Sequence, residues 1–577
     1  MKIIKKSIGK PKLIFQIILI LTWLTNLKDT DSYYYIYCLS ACAGTFCLYE
    51  NYRQRYVREK HTTVGCMWLA ALFSILTVLA NYGLFEPMYS LKNVFGIVCC
   101  LSGGWVIGMN CLEHLLREFP KKLPEYRGGK HDPGKIFGVS FIIIVLIDLV
   151  FLLVVEYPGV ATADSLDQIQ QILSENYNNR HPYWHTVLIS LPLKMGIYLF
   201  DDIATGMAMF CVFQICFMAL CISIATVTLY QKELPRWMIL AVWAVYALVP
   251  YHISYSVTIW KDVLFSGASL LLIVSLYRLI FPVGKRSRMD WGLFFVAGMG
   301  LCLWRTNGLL VFGTTFLLIV ISCRKEKKLI ALMALVMIFA YLLCGPAVSA
   351  MNIPGSDYVE LLSVPLQQIA RTIHDGAEIS SEDIELICKI AEPQTIASTY
   401  SSEISDPMKV LVRNSEGYHE IPENPRQYFD LWVRLGIGNP SSYLKAWVDQ
   451  TKGYWNGGYS YWIYARGVFE NDLGIVGRAD SVFSKVFYLI TRYMEMIPFV
   501  QPVLGIGFHC WILAICGFVN FCKRSKKWIL VIPSITVILG LAIATPVYSE
   551  FRYGYPMILA CPFVLALSVY DTDAENT

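Results

Sequence analysis

Asp164 and Asp167 stand three residues apart in the polar stretch EYPGVATADSLDQIQQILSENYNNRHPYW (residues 156–184), and His181 precedes Pro182 near its far end. A carboxylate can take a proton from a hydroxyl, so this stretch can supply a general base. Farther along, Lys261 and Asp262 occur in TIWKDVLF, Arg305 and Asn307 in LWRTNGLL, and Glu550 and Arg552 in YSEFRYGYP. Lysine offers a point charge and arginine a bidentate fork, and both suit phosphate oxygens. Together these types describe one chemistry. An anionic leaving group such as a phosphate is held by Lys261, Arg305 and Arg552 while Asp164 takes the proton of an acceptor hydroxyl. His181 is the second catalytic candidate, and Asp167, Asp262, Asn307 and Glu550 are supporting residues. Each has a plainer reading too: Lys261 and Asp262 as a local ion pair, Arg305 and Arg552 as cations reaching for lipid headgroups, His181 as a stiffener before Pro182. A helical turn would put Asp164 and Asp167 on one face, with room for a divalent cation between them. Beyond that, no cofactor is assigned.

The elements that must position these residues are membrane helices. The chain has 577 residues, 56% of them hydrophobic and 16% charged, which excludes an ordinary soluble domain and fits a polytopic membrane protein. The net charge of +5 is small, and the basic residues lie in short clusters between apolar runs, so nucleic acid is not an expected partner. Many of the 18 cysteines lie inside apolar runs, with no paired CxxC, and read as small packing residues. The leading MKIIKKSIGKPK resembles a signal-peptide flank, but no small-residue cleavage site follows and more apolar runs do. It reads as a retained first helix.

Spans are expected near residues 11–28, 33–49, 64–84, 94–112 and 137–155, five before the polar stretch. Basic connectors face the cytoplasm. NYRQRYVREK (51–60) and LREFPKKLPEYRGGK (116–130) then set the N-terminus inside and the 156–184 stretch outside. The segment 185–200 is read as interfacial. If it crossed, QKELPR (231–236) and GKRSR (284–288) would both fall outside. Further spans follow near 204–229, 236–257, 262–281, 291–322 (split in two at Arg305 and Asn307), 329–348, 497–521, 528–547 and 553–570. The expected fold is all-α, with about 14 transmembrane helices and both termini inside. Its parts are an N-terminal set of four spans (1–136), a membrane core (137–348) with its outer loop, an extracytoplasmic segment of about 135 residues (349–483) and C-terminal spans (484–577). No internal repeat or low-complexity tract is evident. Under this parity every site candidate lies on the outer face. A phosphate placed there belongs to a lipid carrier that cannot leave the bilayer.

The ordered elements TADSLDQ, NRHPYWHTVL, WKD, RTNG and EFRY resemble the GT-C class of integral-membrane glycosyltransferases, in particular uncharacterised bacterial multi-pass families with a T-x-D-S and then an H-P pattern. The resemblance covers residues 137–325 well and the last spans weakly. It implies a GT-C-like core, a polyprenyl-phosphate-linked sugar donor, an envelope glycan, teichoic acid or protein as acceptor, and Asp164 as general base in the cell membrane's outer face. Members of the class often carry an acidic pair where this chain has Asp164–Ser165, so a second carboxylate role does not transfer. Two other classes remain open. A transporter or flippase of lipid-linked saccharides would place charges at mid-span and show internal symmetry. A transferase of phosphoethanolamine, phosphoglycerol or acyl groups would need a metal-bound nucleophile or a His-led site.

Overall fold

The computed structural model describes residues 10–28, 34–54, 60–87, 89–123, 132–459, 461–497 and 500–572. Residues 1–9, 55–59 and 124–131, on which part of the N-terminal flank and of the first two basic connectors fall, lie outside the described residues.

Local sequence explains where helices begin. Asp132 accepts the Gly134 N–H at 3.0 Å and Pro133 occupies the first turn, so an uninterrupted apolar run becomes α5 (Pro133–Val154). Four helices precede it: α1 (Lys10–Asn26), α2 (Tyr34–Gln54), α3 (Lys60–Ala80) and α4 (Leu91–Glu118). After it come α6 (Ala163–Ser174), α7 (Tyr183–Phe200), α8 (Ile203–Gln231), α9 (Arg236–Leu248), α10 (Pro250–Ser256), α11 (Lys261–Ile280), α12 (Arg288–Trp304), α13 (Gly308–Ser322) and α14 (Lys327–Leu342). A short α15 (Val348–Ala350) leads into a helical subdomain: α16 (Ser363–His374), α17 (Ser381–Cys388), α18 (Pro393–Thr399), α19 (Asp406–Arg413), α20 (Gly417–Glu423), α21 (Pro425–Gly438) and the start of α22 (Pro440–Trp455). The chain closes with α23 (Val482–Glu495), α24 (Ile506–Cys522), α25 (Ile532–Ala544) and α26 (Phe551–Val569).

Among the described residues eight helices are long and apolar enough to cross a membrane, nine if the bent pair α9 and α10 is one span. The protein is all-α and polytopic. The other five expected spans correspond to shorter helices (α1, α12 and α24 of 17 residues, α13 of 15) and to α2, which is rich in tyrosine and carries Glu50 and Arg53 near its end. One expected boundary moves. The apolar run taken as 497–521 starts as a helix only at Ile506, and a separate amphipathic helix, α23, precedes it.

Helix ends sort into two levels. At one, Lys121 and Lys122 (β1) pair in parallel with Tyr570 and Asp571 (β2), Arg278 of α11 meets Gln231 and Asp290, and Lys527 reaches the Leu567 carbonyl. The connectors there carry Lys232, Arg236, Lys285, Arg286, Arg324, Lys325, Lys523 and Arg524. At the opposite level, Tyr82 meets Asp449, Lys445 meets Glu86, and the Tyr454 hydroxyl donates to the Val547 carbonyl. The helical subdomain sits at this second level on its own core, which includes Leu366, Leu386, Val412 and Leu431.

α7 does not run the length of the bundle. Gln214, 11 residues into α8, donates to the carbonyls of Tyr255, Ser256 and Thr258 and so marks the level of the strand beneath α11. At 1.5 Å per residue, α8 begins about 16 Å beyond that level. α7 starts beside the same strand, where Gln168 holds His185 at 3.0 Å, and ends where α8 starts. Both of its ends therefore lie on one side. The helices cross at Gly196 and Gly206, where a Cβ on either would run into the other helix's backbone.

Candidate functional site

The polar stretch after α5 folds as it does because each residue of its motif has a partner. Gly159 adopts φ +126°, and a side chain there would meet Cys211 and the Val257 carbonyl. Val160 then pairs in parallel with Thr258, its N–H donating to Val257 O and its carbonyl accepting from Ile259 N, both at 2.9 Å. On its other side Ala161 pairs with Val468, exchanging bonds with Gly467 and Phe469. Thr162 begins α6. The Ser165 hydroxyl accepts the Thr162 N–H at 3.3 Å and donates to the Ile259 carbonyl at 2.6 Å, while the Trp260 indole donates to Thr162 Oγ1 at 2.8 Å. The TADS and TIWKD motifs thus lace together, and the lacing places Asp164 on the first turn of α6 beside Lys261 on the first turn of α11.

Charged groups from four parts of the chain meet at this point. Arg552 Nη1 lies 2.8 Å and Lys261 Nζ 3.7 Å from the same atom, Asp164 Oδ2. Lys261 Nζ also lies 2.8 Å from His181 Nδ1, and His181 Nε2 lies 3.1 Å from Asp167 Oδ2. Because the ammonium can only donate, Nδ1 accepts, and the imidazole proton sits on Nε2 facing Asp167. Glu550 Oε1 lies 3.3 Å from Arg552 Nε. Beneath them Arg305 Nη1 pairs with Asp262 Oδ1 at 2.7 Å. Aromatic faces cover the guanidiniums: Arg552 lies 5.0 Å from the Trp260 centroid and 5.1 Å from that of Tyr553, and Arg305 lies 4.9 Å from Tyr553.

All nine sequence candidates lie at the same end of the bundle. Asp164, Asp167, His181, Lys261, Glu550 and Arg552 form one continuous chain of contacts, and Asp262 with Arg305 forms a second pair behind it. The neighbouring-residue ion pair does not form: Lys261 turns to Asp164 and His181, Asp262 to Arg305. Asn307 starts α13, its Oδ1 buried without a partner. The divalent-ion reading loses its space, because His181 and Lys261 bridge the two carboxylates. Among the described residues no three His, Cys, Asp or Glu side chains are grouped so as to hold a metal.

The electrostatics divide the carboxylates. Burial works to raise the pKa of Asp164, but Lys261, Arg552 and His181 outweigh it and hold the group well below the usual carboxylate range. Asp167 is lowered first by its hydrogen bond from His181, and His181 is itself lowered by burial and by Lys261. Glu550 goes the other way: burial, assisted by Asp262 and Asp164, raises it to about 7 against the pull of Arg552. Asp164 and Asp167 form the site's open face, their side chains 33% and 35% exposed against 4% for Glu550.

Sequence reasoning missed several residues that shape this site. Gln168 binds His185 and Thr186 and so fixes α7 against α6; Glu156 accepts the Gly467 N–H and the Ser484 hydroxyl. The spacing of Gln168 and His185 on adjoining helices was a usable signal, whereas the Glu156 partners lie more than 300 residues away. Tyr553 and Trp260 stood next to charged candidates and were passed over.

A family model described as a family of unknown function (DUF6020) matches residues 172–577. That region holds His181, Lys261, Asp262, Arg305, Asn307, Glu550 and Arg552, and begins after Asp164 and Asp167. No curated protein and no solved structure matches the chain.

Proposed function

The chain belongs to DUF6020, a family of unknown function, and from that premise we propose that it is a membrane glycosyltransferase that moves a sugar from a polyprenyl-phosphate carrier to an envelope acceptor. The observation that carries the reading is a part-exposed carboxylate, Asp164, in contact with two part-buried cations at the end of a membrane bundle. In the reaction the acceptor O–H proton passes to Asp164 and the acceptor oxygen bonds to the anomeric carbon. The bond from that carbon to the phosphate oxygen breaks, and its electron pair leaves on the carrier phosphate, whose added charge Lys261 and Arg552 take. Arg305 supports the clamp through Tyr553. His181 orients Lys261 and, in its neutral form, leaves the lysine's charge free for the phosphate.

The site faces outward in this reading, because the basic connectors gather at the opposite level of the bundle. The short helices α1, α12, α13 and α24, together with α2, then serve as spans as well, completing about 14. A transporter fits less well, since the charged residues of the site stand at helix ends beside aqueous loops.

The test is transfer from a polyprenyl-phosphate sugar by the purified full chain in lipid. Asp164→Asn keeps shape and hydrogen bonding but not basicity, and it should lower turnover by about 10²–10⁴-fold with donor binding retained. Turnover like that of the wild type removes the mechanism.

A further inference from the structure

The two cations assigned to the donor phosphate are already occupied. Lys261 Nζ and Arg552 Nη1 converge on one oxygen, Asp164 Oδ2. A carboxylate whose charge is held by two cations is a poor proton acceptor, and cations held by a carboxylate are poorly disposed to bind phosphate. The arrangement cannot serve both roles at once. No other group nearby relieves the conflict: α6 adds Asp167, the following loop His181, α11 Asp262, the end of α12 Arg305, and the start of α26 Glu550, and each of these has its own partner. The outer ion pairs are close but not aligned as hydrogen bonds: Arg552 Nε lies 3.3 Å from Glu550 Oε1 and Arg305 Nη1 2.7 Å from Asp262 Oδ1.

We propose, resting on the phosphate-clamp reading above, that the carrier's phosphate is what makes Asp164 a base: by drawing Lys261 and Arg552 onto itself it frees the carboxylate, so that proton abstraction waits on an occupied donor site. Asp164 then has two successive functions. Without donor it keeps two buried cations neutralised, which explains how they are tolerated at the membrane edge. With donor it turns to the acceptor, from the exposed side it already presents. The low pKa of Asp164 in the present arrangement agrees with the first of these states.

The experiment reads the carboxylate itself. Full-length protein in detergent is treated at pH 6 with a water-soluble carbodiimide and a small amine, and Asp164 labelling is followed by mass spectrometry of its peptide. The probe is farnesyl phosphate, which carries prenyl and phosphate but no sugar, with farnesol as control and thermal shift as an independent measure of binding. Carbodiimide reacts with the protonated carboxyl, so labelling should rise about tenfold for each unit by which the pKa returns toward normal. Farnesyl phosphate should produce this rise and farnesol should not. Arg552→Gln and Lys261→Gln should each raise labelling with no probe at all. Labelling that stays level or falls when farnesyl phosphate binds overturns the proposal, as does an equal rise with farnesol or wild-type reactivity in both variants. Absence of farnesyl phosphate binding overturns it together with the clamp. A rise in labelling in a protein that transfers no sugar from any polyprenyl-phosphate donor sinks the transferase reading and leaves this one standing.

Discussion

Ser165 shows how much of the TADS motif is architecture. Its hydroxyl is fully buried, accepts from Thr162 and donates to Ile259, so it joins the two segments that carry Asp164 and Lys261. Ser165→Ala leaves a buried carbonyl and a helix-cap N–H without this partner, at a cost of about 1–3 kcal/mol. A lower melting temperature together with weaker donor binding is the expected result; an unchanged melting temperature would show that the lacing contributes nothing. Glu550 gives a pH dependence of opposite sign to that of Asp164. Its folded pKa of about 7 lies above its ordinary value of 4.5, so its contribution to stability is fully present below the ordinary value and is lost as pH rises through about 7. A shift of that size is worth about 3 kcal/mol. Asp164, held low, contributes stability that is lost only as pH falls. In melts between pH 4.5 and 8, Glu550→Gln should therefore lose less stability with rising pH than the wild type does. Parallel curves would mean that Glu550 titrates normally.

At the scale of elements, the crossing of α7 and α8 is one of two contacts that place α7, the other being the Gln168–His185 bond near His181. Gly196 and Gly206 bring the helices to backbone contact, and a methyl group on Gly206 would press on Leu193. Gly206→Ala must push α7 away and shift His181 from Lys261, with overpacking costing about 1–3 kcal/mol. Reduced activity at the wild-type lysine, measured beside a lowered melting temperature, is expected; activity at full level with α7 displaced would make His181 dispensable. The sequence made such elements legible unevenly. Apolar runs and basic connectors gave the helices, and the Pro192, Lys194 and Asp201 pattern gave α7 its place outside the bundle's length. The types of the site residues were readable because ionisable groups are costly beside lipid. Their pairings were not. Asp164 meets Arg552 across 388 residues, and Asp262 passes over its neighbour Lys261 for Arg305 because the helical turn points the two side chains apart. The strap at 467–469 that closes the site's small sheet carries no pattern that would announce it.

The whole molecule makes one demand that joins all of these: the site and the subdomain must share a side of the membrane opposite the basic connectors. Cys388 is a natural reporter for that side, since it lies exposed on α17 within the subdomain. Ser287, which caps α12 beside Lys285 and Arg286, marks the other. In a background where the other cysteines are replaced, a membrane-impermeant maleimide added to intact cells should label Cys388 and spare a cysteine introduced by Ser287→Cys, which should react only after the membrane is opened. Between Cys388 and position 287 the chain runs through α12, α13 and α14, so the two positions report opposite faces when all three cross or when exactly one does. α12 and α13 are the helices that fall short of a full span by length, at 17 and 15 residues, and a third reporter, Thr306→Cys at the turn between them, should be labelled from outside only if α12 crosses. Labelling of position 287 and Cys388 from outside, or a position 306 shielded with position 287, would break the opposition between the basic connectors and the site, and the outward-facing phosphate clamp would fall with it.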